Sequence, residues 1–120
     1  MKEPQLMFPK GAKKKKRKVH KKSILQDKDD HRCYLCLLQG NNQYYPIVHE
    51  HHVFGGTANR PLSEKYGLKV YLCPDHHQFS AEAVHVNAEN SLVLKQAAQE
   101  AFEQEYTREE FVQIFGRNYL

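Results

Sequence analysis

Two pairs of residues carry spacing that metal chemistry uses. Cys33-x2-Cys36 and Cys73-x2-His76 each let one turn of backbone present two donors to a single tetrahedral ion, and together they describe a Cys3His site for Zn²⁺. The 36 residues between the pairs would close as a loop, stapling a domain whose own core is thin. A redox Cys-x-x-Cys or an ordinary buried thiol would leave Cys73 and the surrounding histidines without a role. His31 is the alternative to His76 as fourth ligand, although it lacks a partner at paired spacing. Three cysteines are an odd number, and eight histidines accompany them; both facts favour metal ligation over a disulfide framework.

The second chemical feature is the run His49-Glu50-His51-His52. In extended backbone, His51 and His52 point to opposite faces, so one can hold a metal while the other addresses substrate. Phosphodiester hydrolysis needs that division. A divalent ion neutralises charge building on the phosphate and stabilises the leaving oxygen, while a separate base takes the proton of the attacking water. Imidazole suits the base, because its ordinary pKa of about 6.5 lies near neutrality. The doublet and His77 together exceed what a four-coordinate structural zinc can use. Isolated histidines such as His20 and His31 are read as structural.

These residues need elements to position them. The short apolar or aromatic runs at 44–48 and 68–72 predict two strands, the first closed by the histidine run. Gly55, Gly56 and Pro61 predict a sharply turning loop between them. Leu92, Ala97, Ala98, Ala101 and Phe102 recur at near-helical spacing and predict a helix to about Tyr106, with Asn87, Asn90 or Ser91 as its cap. Thr107 and Glu110 form a capping-box pattern ahead of Phe111, Ile114 and Phe115, and Gly116 supplies a stop. The apolar faces of these helices are read as core. The predicted class is α+β, with a small zinc-bound domain and C-terminal helices.

Charge divides the chain in two. Residues 1–26 hold ten Lys or Arg against Glu3 alone, a balance of +9, whereas residues 27–120 hold eight against thirteen acids, a balance of −5. The first segment reads as a disordered basic tail and the second as the domain. Lysines that neutralise phosphates release condensed counterions, so the tail suits DNA. The string 14–19 resembles a nuclear-import signal, but any lysine-rich DNA-binding arm can produce it. With no run of about 20 apolar residues and no secretory segment, the chain is expected to be soluble and intracellular, without a membrane partner.

A histidine doublet, a Gly-containing loop, a second strand and a Cys-x2-[Cys/His]-His element resemble the HNH (ββα-metal) endonuclease family, over residues 33–85. The resemblance implies that His51 binds a catalytic Mg²⁺ or Mn²⁺, that His52 is the general base, and that His77 is a second ligand. The family often places another ligand one helical turn beyond the knuckle histidine. Here that position is Ala81, so His85, or else Asn87, takes the role. The family's middle asparagine, which orients the loop bearing the base, falls on no matching residue; Asn59 is the candidate. The lysine-rich arm, Glu-His-His-x-Phe-Gly-Gly, Tyr-Leu-Cys-Pro-x-His-His and the closing Phe-Gly-Arg-Asn-Tyr-Leu look like small HNH proteins of phages and prophages. That likeness implies a bacterial cytoplasm and, for relatives that assist recombination, a recombinase filament as partner. The alternative is a catalytically inactive zinc-stabilised DNA-binding or adaptor module.

Overall fold

A computed structural model describes residues 21–120; the lysine run, the import-like string and His20 lie outside them. The elements run α1 (Tyr34–Leu38), β1 (His49–His52), α2 (Gly56–Tyr66), β2 (Lys69–Leu72), a single π-type turn (Asp75–Phe79), α3 (Ala88–Phe102) and α4 (Arg108–Phe115). The class is α+β, as expected, with one two-stranded sheet.

The strands pair antiparallel in the register His49 with Leu72, Glu50 with Tyr71, His51 with Val70 and His52 with Lys69. The first strand is expected to run from 44 and to be closed by the histidine run, and only that closing run pairs as a strand. Pro46 explains the shift: it has no N–H for a ladder, and Tyr44 forms only an isolated bridge with Arg32. Tyr44 and Ile47 are left exposed.

A larger correction concerns the expected loop, because most of it is α2. Pro61 inside the helix removes a backbone bond and costs about 3 kcal/mol, so packing must hold the element. Leu62 and Tyr66, one turn apart, pack on the core. Fully buried Ser63 accepts from the Phe54 N–H at 3.0 Å and donates to the Phe54 carbonyl at 2.8 Å. Gly67 ends the helix at φ 71°, the left-handed conformation of a C-cap. A Cβ at Gly67 would collide with the Lys22 carbonyl and the Ile24 side chain.

That close approach belongs to residues 23–26, which the charge pattern had grouped with the tail. They lie along β2: Ile24 N donates to Gly67 O, Ser23 Oγ to Lys69 O, and Tyr71 N to Gln26 Oε1 at 2.7 Å.

The C-terminal helices form the other wall of the core. Asn87 caps α3, accepting from Asn90 N at 3.0 Å, and α3 ends at Phe102, short of the expected Tyr106. Thr107 and Glu110 make the anticipated capping box, and Gly116 takes a left-handed conformation after α4. Phe54, Phe102 and Phe111 are among the largest fully buried side chains. Their rings pack edge to face at 5.3–5.5 Å across Phe111. This aromatic block supplies much of the hydrophobic burial, and Leu35, Val70 and Leu72 extend the same core beneath the sheet and the cysteines.

Candidate metal centres

Cys33 precedes α1, Cys36 lies within it, Cys73 follows β2, and His76 sits in the π-type turn. All four are buried, and their donor atoms lie within 4.8 Å of one another. His76 Nδ1 faces all three sulfurs, at 3.3 Å from Cys33 and 3.4 Å from Cys36 and Cys73. Sulfur and nitrogen sharing a tetrahedral zinc stand about 3.6 Å apart, given bonds of about 2.3 and 2.0 Å. The cluster fits such an ion. The cysteines form no disulfide, and in the metal-free protein burial pushes the Cys33 thiol up to about 12, a penalty that a coordinated cation removes. His76 Nε2 is buried without a hydrogen bond. It lies 3.3 Å from a Glu82 carboxylate oxygen, close in distance but unaligned, on the side where a zinc-bound histidine turns its second nitrogen toward an acid. His31 stays outside the cluster; it is exposed, with Nδ1 3.2 Å from Tyr45 O.

The π-type turn sends consecutive histidines to different clusters, a use to which such turns are often put. Whereas His76 enters the sulfur site, His77 meets His51 and His85, and the three offer nitrogens within 4.8 Å of one another. His77 Nε2 is 3.2 Å from His85 Nε2. The ring centres of His51 stand 5.5 Å from His77 and 5.3 Å from His85. Burial, followed by the neighbouring His85 and His77, drives the His51 pKa down to about 3. Burial and His85 also lower that of His77. Neutral rings keep their lone pairs, which is the state a metal ligand needs. The cluster is less enclosed than the sulfur site, and His85 is exposed.

Strand alternation gives His51 a companion that the sequence reading had not placed here. His49 lies on the same face, and its Nδ1 is 2.9 Å from His77 Nδ1, holding that ring from the side opposite His85. The signal was available as i, i+2 spacing on one strand.

His52 leaves β1 on the other face. Its Nε2 is 2.8 Å from Glu64 Oε1, and Lys69, its cross-strand partner, reaches the same carboxylate. Asn59 sits in α2, and among the described residues its side chain makes no hydrogen bond to either histidine cluster. Of the two candidates beyond the knuckle, His85 joins the cluster and Asn87 is committed to capping α3.

No known family model, curated protein or solved structure matches this chain. Among the described residues, no helix is long and apolar enough to cross a membrane.

Proposed function

We propose that the protein is a divalent-metal-dependent DNA endonuclease working by an HNH mechanism, with zinc in the Cys3His cluster as a structural staple. One observation carries this reading: on a single short strand His51 joins His77 and His85, while the adjacent His52 leaves the opposite face against a carboxylate. A cation site and a separate base are the two parts that phosphodiester hydrolysis requires.

His51, His77 and His85 would hold Mg²⁺ or Mn²⁺, which supplies charge neutralisation at the phosphate and at the leaving oxygen. The lowered pKa of His51 and His77 suits that role, and three imidazoles favour a transition ion over Mg²⁺, which prefers oxygen donors. His52 takes the proton of the attacking water. His49 fixes the orientation of His77. The basic N-terminal arm engages backbone phosphates without reading sequence. A phage or prophage origin, a role in recombination and a recombinase filament as partner follow from the motif resemblance alone. Two departures from the ββα pattern stand beside these supports: a five-residue π-type turn follows β2, and the eleven-residue α2 lies between the strands.

The test is incubation of purified protein with supercoiled and single-stranded DNA in Mg²⁺, in Mn²⁺ and in EDTA. Ion-dependent cleavage that EDTA abolishes is expected. Tight binding with no cleavage under any ion would replace the nuclease with a zinc-stabilised binding module.

A further inference from the structure

Glu50, His52 and Glu64 bring donor atoms within 4.8 Å of one another, beside a cleft of about 630 Å³ that Thr57 and Arg60 also line. The set has the composition of a second cation site. Lys69 argues against that use. It is 5 % exposed, and its Nζ lies 3.2 Å from both oxygens of Glu64 and 3.3 Å from Glu50 Oε2. The chain thus supplies the positive charge between these carboxylates itself, and a divalent ion would sit against a buried ammonium.

We infer that Glu64 is a positioning residue for His52, with Lys69 holding Glu64 in place, so that the proposed base is the end of a Lys–Glu–His chain. This rests on the nuclease reading above. Both Glu64 oxygens accept from the Lys69 Nζ, at 3.2 Å each, so the carboxylate meets its neighbours as an acceptor. The 2.8 Å contact to His52 Nε2 therefore places the hydrogen on the imidazole. In this geometry Nε2 is the nitrogen that bears hydrogen, which leaves Nδ1 as the acceptor. In the reaction a water proton moves to Nδ1 as the water oxygen bonds to phosphorus, and the breaking P–O bond leaves its electron pair on the departing oxygen. The imidazolium that forms faces the Glu64 carboxylate, which stabilises it as the acid of a Ser-His-Asp triad does.

Local structure makes the arrangement stiff. His52 and Lys69 are opposite each other in the register. Glu64 lies in the last turn of α2, where the left-handed Gly67 returns the chain into β2. Helix end, glycine and strand start together set the distance between Glu64 and Lys69.

The experiment compares wild type, Glu64→Ala, Glu64→Gln, His52→Ala and the Glu64→Ala/His52→Ala double variant as full chains, on the same DNA and ion. Zinc content and melting temperature are measured for each. Glu64→Ala should lower kcat at least about 10- to 100-fold, the loss seen when a metal-bound histidine is deprived of its carboxylate partner, with KM for DNA unchanged. Glu64→Gln should fall between, since its amide oxygen still accepts from Nε2–H without the charge; it also serves if the alanine variant fails to fold. In the His52→Ala background, Glu64→Ala should cost nothing more. Nitrogen NMR at alkaline pH should find His52 as Nε2–H in wild type and as a tautomer mixture in Glu64→Ala. Wild-type cleavage by Glu64→Ala, full additivity with His52→Ala, or an Nδ1–H ring in the wild type would each overturn the assignment. A wild-type protein that cuts no DNA would instead remove the nuclease reading, and the tautomer would still decide whether Glu64 sets His52.

Discussion

The two histidine-containing clusters share the π-type turn but differ in closure. The sulfur site has four donors, all buried, converging on one point. The imidazole site has three, graded from half-buried His51 to exposed His85. A closed tetrahedral set leaves an ion no free position and turns binding energy into folding energy. An open set of three leaves positions for water or a phosphate oxygen. Adjacent residues in one turn thus serve two purposes, because His76 faces the sulfurs and His77 the solvent-accessible side.

The largest effect expected from this contrast is on stability. Cys33→Ser or Cys73→Ser should lose zinc and unfold much of the domain, since zinc-binding energy in such small sites amounts to about 10–16 kcal/mol. Circular dichroism and metal analysis check it, and a zinc-free variant with full helicity and unchanged melting would erase the distinction between the sites. Next in size, His52→Ala should lower the cleavage rate by about 10² to 10⁴, the usual cost of losing a general base, while zinc content and DNA affinity hold. If that variant loses zinc and unfolds, His52 belongs to the structural half.

His51→Ala should also block cleavage, but through weakened cation binding, so high Mn²⁺ should restore part of its rate and none of the rate of His52→Ala. Equal rescue of both would merge their roles. Deleting residues 1–22 should weaken DNA binding at low salt and flatten the slope of log affinity against log salt, leaving both clusters and the segment 23–26 in place. An unchanged slope would move the phosphate contacts onto the domain. The smallest effect separates the two candidates beyond the knuckle: Asn87→Ala should cost about 1 kcal/mol through loss of the α3 cap, read by thermal melting, and leave Mn²⁺ affinity unchanged, whereas His85→Ala should do the reverse.

The sulfur ligands were legible in the sequence because pair spacing is a local property that one backbone turn satisfies. The same holds for the caps at Thr107 and Gly116, where the residues that signal the end also make its hydrogen bonds. The helix α2 was not legible. Gly55, Gly56 and Pro61 are loop signals, and what overrides them is tertiary: Ser63 bonded to Phe54, and Tyr66 stacked edge-on to Phe102 at 5.4 Å. The first strand begins later than expected because Tyr44, Tyr45 and Ile47 have higher strand propensity than a histidine run, yet pairing with β2 decided which part forms the strand. Glu64 and Lys69 escaped notice for a related reason. Nothing in a Glu and a Lys five residues apart shows that a helix end and a strand start will fold both onto His52.

The segment at 23–26 has a bearing on how this protein meets copies of itself. A two-stranded sheet has an outer edge on each strand, and a free edge offers unpaired backbone groups to any passing strand. On β2 two of those groups are occupied: Lys69 O receives Ser23 Oγ, and Tyr71 N gives its hydrogen to the Gln26 amide. Side chains of Ser23 and Gln26 make both contacts, so these two groups are covered without a third paired strand. A chain trimmed to begin at residue 27 would keep every residue of both candidate metal clusters and lose this cover, and should self-associate through β2 more strongly in light scattering than a chain begun at residue 23.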